Sequence, residues 1–256
     1  MAEEKAWELY LQGKIEAAKQ LASTELFQTQ DLEIKKDMQA ILAWCAYRRK
    51  EYDTALAEIA GAGDNQRARE CHVYILAYAK DYADDKKLSE LVANMANNIN
   101  AANALVIRAR ALESTVSHEQ VWNMAESFAE KADVANHDVS LANLLHNSAR
   151  FFLDKARTRR DLKFALGLIE VALAHYGDTS NWHHRAAIHL YKSIALEKLT
   201  AIPAAFEAAA TSLRFWQIQC ELEKDTKPFN EKLAASSSRV IELAPKLVEF
   251  AKRVRA

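Results

Sequence analysis

Small residues recur along the chain at a spacing that is typical of helices. In each set, a small residue is followed by small or apolar residues four and seven positions later, except that the first set has Glu25 at its last position. Such positions lie on one stripe of an α-helix, where small side chains allow a second helix to approach closely. The sets follow one another at intervals of 37, 34, 36, 40 and 40 residues, beginning at Ala18, Ala55, Ser89, Ala125, Ala165 and Ala205. The pattern predicts helical hairpins stacked in a row, each burying its apolar face on its neighbours.

Residues that start and stop helices divide this pattern into helix pairs. Ser117 precedes Glu119 and Gln120 as a predicted N-cap, and Gly61 and Gly177 fall at predicted helix ends. We predict pairs over residues 3–24, 31–61, 65–96, 99–133, 137–176 and 181–223, followed by a cap over 229–256 made of helices 229–243 and 246–255. Because no linker or change of composition divides the chain, we expect 1–256 to form a single domain.

The composition favours the same fold class. The chain has five Gly and three Pro, whereas average usage at this length is roughly 18 and 13. β-Sandwiches, β-barrels and dinucleotide-binding α/β folds need more of these residues for their turns. Alanine, a strong helix former, makes up nearly a fifth of the chain. The composition therefore predicts an all-α protein.

The clearest internal repeat is Ile41–Trp44 (ILAW) against Ile75–Tyr78 (ILAY), 34 residues apart. Large, small and aromatic residues surround the first copy in a fixed order, at Leu42, Ala43, Tyr47, Tyr52, Ala55, Ile59 and Ala62. Tyr10–Ala18 carries part of the same order, with a glycine at the turn where the second unit has Lys50. This arrangement resembles the tetratricopeptide repeat, a pair of antiparallel helices over 34 residues. Over about residues 4–223, the resemblance implies a right-handed α-solenoid of about six hairpins plus capping helices, whose first helices line a concave groove that binds extended peptides.

Charge and cysteine content narrow the class of protein. The chain has 34 basic and 35 acidic residues and a net charge of −1, whereas a dedicated nucleic-acid binder usually shows a basic excess. The sequence contains no stretch of 18 apolar residues, so we predict no membrane span. We also expect no export signal, because the first residues are acidic and lead directly into a predicted helix. Cys45, Cys71 and Cys220 are widely spaced, which is typical of reduced core thiols. We expect a cytoplasmic protein that binds no nucleic acid.

Motifs of the common catalytic and metal sites are absent from the sequence. There is no GxGxxG, GxxxxGK[ST], GxSxG or HExxH. Asp81, Asp84 and Asp85 approach the aspartate-rich DDxxD motif, but Leu88 stands at its fifth position, and a solvated helix junction is the preferred interpretation. His183 and His184 are adjacent and neither is four residues from another ligand, so we interpret them as part of a polar face. We predict a protein that is not an enzyme and has no metal or cofactor.

Two predicted first helices carry polar stripes that suggest a binding surface. The stripe on 137–157 lies opposite Val139, Leu144, Leu145, Phe151 and Phe152, and its candidate residues are Asn143, Asn147 and Arg150. The next first helix offers Arg185, His189 and Lys192. Amides can hold a peptide backbone, and Arg and Lys bond to carboxylates, so the resemblance implies that these six residues bind an acidic or C-terminal peptide segment. The alternative is the ordinary polar face that any amphipathic helix presents to water.

Two further features bear on exposed surfaces. The stretch 246–255 is basic on one side and apolar on the other, which fits a capping helix or, alternatively, a helix on a membrane surface. The five tryptophans are spread over four of the six predicted helix pairs, which indicates core positions, and Trp216 is the one we expect to be exposed.

The sequence thus predicts a non-catalytic adaptor or scaffold that binds a protein or peptide through the groove of a helical-repeat array. One alternative is a structural subunit of a stable complex or homo-oligomer, which a large exposed apolar patch would favour. Another is an all-α enzyme or small-ligand sensor, which a deep closed cavity with perturbed titratable groups would favour.

Overall fold

The computed structural model describes residues 2–95, 97–132, 138–177, 182–222 and 227–255, and it is all-α: no strand occurs in these ranges. The helices of the described residues are α1 (Ala2–Leu11), α2 (Ile15–Gln28), α3 (Leu32–Arg48), α4 (Tyr52–Ala62), α5 (Gln66–Tyr78), α6 (Asp85–Asn94), α7 (Ile99–Ala109), α8 (His118–Glu130), α9 (Val139–Asp154), α10 (Arg159–Tyr176), α11 (Trp182–Lys198), α12 (Ile202–Leu222) and α13 (Lys227–Arg255). A 3₁₀ turn, Lys80–Tyr82, follows α5. Among these helices we find none with the length and apolar character needed to cross a membrane.

The chain forms two compact units, Met1–Val116 and Ser117–Ala256. In the first unit, α1 packs on α2 and α3, α3 packs on α4 and α5, and α5 packs on α7. In the second unit, α9 packs on α10 and α11, and α12 packs on α11 and α13. Within each unit, helices that are adjacent in sequence pack on one another, and α1, α3, α5 and α7, like α9 and α11, also pack on the next helix but one, a pattern that is compatible with a helical repeat.

Three helix pairs share one turn geometry. The turns after α1, α3 and α11 each place one residue in the left-handed region, Gly13 (φ 76°), Lys50 (φ 62°) and Thr200 (φ 67°). In all three, this residue donates its N–H to the carbonyl three positions earlier, and the next N–H bonds to the carbonyl five positions before it, at 2.8–3.0 Å. This is the Schellman end of a helix, which satisfies the last free carbonyls. Lys50, which departs from the turn glycine in the sequence, keeps the backbone conformation of that turn.

The stripe of small residues is buried in most pairs, as the spacing predicts. Complete burial is found at Ala18, Ala22, Ala55, Ala62, Ala125, Ala165, Ile169, Ala172, Ala205, Ala209 and Ser212. The prediction is wrong in α6, where Ser89 is half-buried and Ala93 is exposed, and it holds only in part in α8, where Ala129 is half-buried; Ala96 lies outside the described residues. In α6, Leu88 is fully buried instead. A leucine removes more apolar area from water than a serine or alanine does, so its burial sets the orientation of α6.

Two asparagines link successive first helices of the first unit. The Nδ2 of Asn65 donates to Asp37 at 2.7 Å, and the Nδ2 of Asn98 donates to Glu70 at 2.7 Å. Each asparagine also caps its own helix, α5 or α7, through its Oδ1. Both donor and acceptor advance by 33 residues from one link to the next, so this contact repeats with the helix pairs.

Two expectations about the second unit are corrected by the structure. The predicted cap helices 229–243 and 246–255 form one helix, α13, with Pro245 inside it. Pro245 and the residue four before it, Ile241, are both exposed, so water can satisfy the carbonyl that proline leaves without a donor. Trp216 is 5% exposed, not exposed as expected, because its ring packs beside Phe229.

Asp85 is not part of a solvated junction. Its side chain is 8% exposed, and Arg108 Nε lies 2.6 Å from its Oδ1. The backbone N–H and the hydroxyl of Thr115 also donate to Asp85. Burial works against the charged form, but the donors from Arg108 and Thr115 outweigh it and lower the pKa of Asp85. Asp85 is therefore a buried carboxylate that joins α6 to the segment after α7.

Candidate peptide-binding surface

Helix α9 carries one half of the predicted surface and is oriented by a defined start and a buried face. Asp138 caps the helix by accepting from the N–H of Ser140 at 2.8 Å and of Leu141 at 3.1 Å. The residues predicted to pack, Leu144, Leu145, Phe151 and Phe152, are buried. Val139, which was expected to pack with them, is 36% exposed because it lies in the first turn. The polar residues of α9 therefore occupy the opposite side, as the periodicity predicts.

The first of these polar residues, Asn143, takes part in the packing of α9 on α10. The Tyr176 hydroxyl of α10 donates to Asn143 Oδ1 at 2.6 Å, and His146 Nδ1 lies 3.3 Å from the same hydroxyl. The Tyr176 ring stacks on His184 of α11, with 5.4 Å between ring centres. Burial raises the pKa of Tyr176, so its hydroxyl stays a donor at neutral pH. Tyr176 thus joins three helices, and Asn143, as the acceptor of its hydroxyl, presents less of its amide to a ligand.

Arg150 is held in place while much of it stays accessible. Its guanidinium carbon lies 5.3 Å from the centre of the Tyr191 ring of α11, and its Nε lies 3.8 Å from Asp154 Oδ2. The side chain is nevertheless 41% exposed. Asn147, half-buried, lies one turn before Arg150 on the same side of α9. A guanidinium fixed over an aromatic ring is preorganised to form two parallel bonds to a carboxylate.

The three candidates on α11 contact other neighbours. The guanidinium carbon of Arg185 lies 4.6 Å from the centre of the Phe215 ring of α12, and the His189 ring lies 5.4 Å from the same centre. Lys192 Nζ lies 2.8 Å from Glu170 Oε1 of α10. The structure therefore brings Arg150 against α11 through Tyr191, and it directs Arg185, His189 and Lys192 toward α12 and α10. The two sets of candidates line different helix interfaces of the same unit.

Two histidines near this surface, His184 and His189, are neutral at pH 7. Burial lowers the pKa of His184 to about 4, with a further contribution from His183. Burial also lowers the pKa of His189 to about 4, and Lys192 and Arg185 add to the effect. Among the described residues, buried His189 Nδ1 has no hydrogen-bond partner. The positive charge of the surface at neutral pH therefore comes from Arg150, Arg185 and Lys192.

Sequence reasoning missed the residues that join the helices. His146, Tyr176 and Tyr191 were not singled out, and His184 was considered only as a metal ligand. A signal was present for part of this group, because His184 and Tyr191 lie seven residues apart and thus on one stripe of α11. Tyr176 lies at the end of α10, and only the packing of three helices brings it to Asn143.

A recess of about 460 Å³ lies at the start of α8 and α10. His118 Nε2 lies 3.5 Å from Asp161 Oδ1, and the Asp161 carboxylate also accepts from the N–H groups of Arg157 and Thr158. Burial opposes its charge, yet these N–H donors lower the pKa of Asp161. The Arg160 guanidinium covers the Trp122 ring at 4.7 Å. The carboxylate serves here as a helix cap, with Asp161 as the third residue of a capping box.

The described residues were compared with the requirements of a metal site, and the chain was compared with known proteins. In the part of the chain that the structure describes, no group of three or more His, Cys, Asp or Glu side chains is arranged to hold a metal ion. No family model, no curated protein and no solved structure matches the chain. What is shown is an all-α protein of consecutive, neighbour-packed helices that is compatible with a helical repeat.

Proposed function

We propose that the protein is a non-catalytic adaptor or scaffold of the tetratricopeptide type, and that it holds a segment of a partner protein on the polar side of α9. The observation that carries the proposal is that Arg150 is held by neighbouring side chains and is still accessible to a partner. Its guanidinium is fixed by Tyr191 and Asp154, yet 41% of the side chain remains exposed. Arginine is enriched among the residues that dominate the binding energy of protein interfaces. Asn147, one turn away, supplies an amide that can bond to a peptide backbone.

The chemistry of this surface suggests the kind of segment that it binds. Arg150 can bond to a side-chain or terminal carboxylate, and Arg185 and Lys192 add positive charge within the same unit. Because burial lowers the pKa values of His184 and His189 to about 4, these imidazoles add no positive charge to the surface at neutral pH. We therefore propose an acidic or C-terminal segment as the ligand, which matches what the family resemblance implies.

Affinity capture from the native source, read out by mass spectrometry, tests this function. We expect Arg150→Ala and Asn147→Ala to lose the partners that the wild type captures, with a melting temperature close to that of the wild type. The matched control is Lys163→Ala, which removes an exposed cation from α10. Capture that is equal for the wild type, Arg150→Ala and Lys163→Ala would contradict the proposed surface. A loss that is equal in Lys163→Ala would indicate unspecific attraction by positive charge.

A second candidate function, a structural subunit of a complex or homo-oligomer, has an observation in its favour. Helix α13 exposes a group of large apolar side chains: Ile241, Val248, Phe250 and Val254. Phe250 and Val254 lie one turn apart on the same side of the helix, and exposed apolar residues that adjoin one another can mark an interaction surface.

A further inference from the structure

Large apolar side chains are exposed toward both ends of the described chain, and Phe27 is the most exposed of those near the N-terminal end. Phe27, near the end of α2, is 90% exposed, and Leu32, the first residue of α3, is 64% exposed. The short connection between them is held by its own hydrogen bonds. Asp31 accepts from the N–H of Glu33 at 2.9 Å, and Thr29 Oγ1 accepts from the N–H of Asp31 at 3.1 Å. Phe27 and Leu32 are thus displayed on an ordered corner, which we call the Phe27 corner (residues 25–33).

A notch of complementary character lies in the second unit. It has a volume of about 690 Å³ and lies between the α11–α12 turn and α13. Its lining is mostly apolar and consists of Thr200, Ile202, Pro245, Phe250 and Val254 with the side chains of Lys246, Glu249 and Arg253. Phe250 is 38% exposed and Val254 is 70% exposed. We call this recess the α13 notch.

The notch exists because the packing face of α13 continues past α12. Apolar residues and one serine follow each other along α13 at alternating steps of four and three: Phe229, Leu233, Ser236, Val240, Leu243, Leu247, Phe250 and Val254. The first part of this stripe packs within the unit, where Leu243 is fully buried against Ala205 and Ala209. The last part carries the same chemistry beyond Ile202, the first residue of α12. Apolar surface that is arranged to pack on a helix is therefore left uncovered within the described chain.

The charges of the two features are opposite. Residues 25–33 contain Glu25, Asp31 and Glu33 and no basic residue, which gives −3. Residues 246–255 contain Lys246, Lys252, Arg253 and Arg255 against Glu249, which gives +3. Lys246 already contacts a carboxylate of α11, Glu197, in the packed part of the helix. This contact shows that the basic edge of α13 accepts acidic groups from a neighbouring helix.

We propose that copies of this chain associate head to tail, with Phe27 and Leu32 of one copy entering the α13 notch of the next. A knob on one surface and a recess on another surface of the same chain define a heterologous interface, in which each copy uses both features once. Opposite charge around the two features favours this orientation. Pairing of two α13 notches is disfavoured, because it would place the basic residues of one copy opposite those of the other. The association is separate from the polar side of α9 proposed above for partner binding.

The test is light scattering after size exclusion, together with sedimentation velocity, from low micromolar to near-millimolar full-length protein. We expect concentration-dependent association of the wild type that weakens as salt is raised. Phe27→Ser and the double variant Phe250→Ser/Val254→Ser should each weaken association about 30-fold or more, as expected for a central interface residue. Leu112→Ser, at a fully exposed leucine outside both features, is the control and should associate like the wild type. Arg253→Glu tests the notch without removing an apolar residue of α13.

Mixing the two deficient variants gives the decisive result. The Phe27→Ser chain retains an intact notch, and the Phe250→Ser/Val254→Ser chain retains an intact Phe27 corner. A mixture of two monomeric variants should therefore form a one-to-one dimer and nothing larger. This outcome supports the head-to-tail contact because pairing through two identical surfaces cannot produce it.

Three results would overturn the proposal. One is a wild type that remains monomeric over the whole concentration range. Another is association that is lost in the α13 variants but unchanged in Phe27→Ser, which would indicate pairing of two α13 helices. The last is absence of self-association together with binding to vesicles of phosphatidylcholine and phosphatidylserine that Arg253→Glu abolishes, which would assign the notch to a membrane surface.

Discussion

At the scale of single residues, the hairpin turns contain strain that a substitution can relieve. Lys50 and Thr200 hold φ values of 62° and 67° at positions equivalent to Gly13. A side chain with a Cβ is disfavoured in this region, and a β-branched residue is disfavoured most. The hydrogen bonds that end α3 and α11 hold these residues there, so the turn geometry prevails over the preference of the individual residue.

We expect Thr200→Gly to stabilise the protein by about 1 kcal/mol, because glycine adopts a positive φ without steric cost. The measurement is the free energy of unfolding from urea titration. Thr200→Ala is the matched control, because it also removes the hydroxyl, which donates to the Leu199 carbonyl, but it keeps the Cβ. Equal stability of the glycine and alanine variants would show that the backbone of residue 200 is not strained.

The buried pair of Asp85 and Arg108 is the second feature at this scale. We expect Asp85→Asn to destabilise the protein by about 3 kcal/mol at pH 7, because it leaves the Arg108 guanidinium buried without its carboxylate. The free energy of unfolding measures the effect. Asp81→Asn, at an exposed aspartate in the same acidic cluster, is the control and should change it little.

The same pair predicts a dependence on pH. The folded protein lowers the pKa of Asp85 below its ordinary value of 3.8, so the stabilisation is complete above that value. It is lost as the pH falls below 3.8 and through the lower pKa of the folded state. The difference in unfolding free energy between the wild type and Asp85→Asn should therefore shrink in this range. A difference that is constant down to pH 2 would contradict the lowered pKa.

At the scale of elements, two caps of the first unit do more than begin their helices. Asn65 and Asn98 accept backbone N–H groups of α5 and α7 through Oδ1, and they donate through Nδ2 to a carboxylate on the preceding first helix. One side chain thus starts a helix and fixes its position on its neighbour. Serine or aspartate can form the cap alone, but neither can donate the second bond over the same reach.

We expect the two functions of Asn98 to separate on substitution. Asn98→Ser should keep the cap and lose the bond to Glu70, at a cost of about 1.5 kcal/mol, since the acceptor is charged. Asn98→Ala should lose both and cost about 1 kcal/mol more. Urea titration measures both variants, and the Asn65 pair of variants repeats the test against Asp37. If the serine variant equals the wild type, the link between helices contributes nothing to stability.

At the scale of the whole molecule, the first unit is built around a continuous set of aromatic rings. Neighbouring ring centres lie 4.9–6.2 Å apart along the first helices α1, α3 and α5, through Trp7, Tyr10, Trp44, Tyr47, Tyr74 and Tyr78. Aromatic pairs at these distances add to the stabilisation from burial. Burial raises the pKa of Tyr10 and Tyr47 from 10 to about 12.

This core predicts a loss of stability in alkali. Because the pKa is raised in the folded state, the stabilisation is complete below pH 10 and is lost as the pH rises toward 12. We expect these tyrosines to ionise together with unfolding, when absorbance at 295 nm and circular dichroism are followed in parallel. Tyr47→Phe should reduce the pH dependence between pH 10 and 12. Ionisation of all tyrosines near pH 10 with unchanged circular dichroism would contradict buried hydroxyls.

The local physics of the sequence was sufficient to determine the class of fold and most of its elements. Three signals predict the all-α class: the scarcity of Gly and Pro, the abundance of Ala and the spacing of small residues. Each depends on interactions within a few turns of a helix, and the class that they predict is confirmed. The capping signal at Ser117 is confirmed by a complete capping box with Gln120. The right-handed solenoid and the binding function stay predictions, because they depend on contacts among many elements.

Tertiary structure alone decided which polar residues are available. The sequence predicts Asn143 on the polar stripe of its helix and Asp85 in a solvated helix junction, but Tyr176 from the next helix bonds to Asn143, and Arg108 and Thr115 bond to Asp85. Tertiary packing likewise directs Arg185 and His189 to Phe215, away from Arg150. Helical period fixes the direction of a side chain about its own axis, whereas its partners come from helices 20 to 35 residues away in sequence. Only the packing of those helices determines whether such a side chain meets water or another part of the protein.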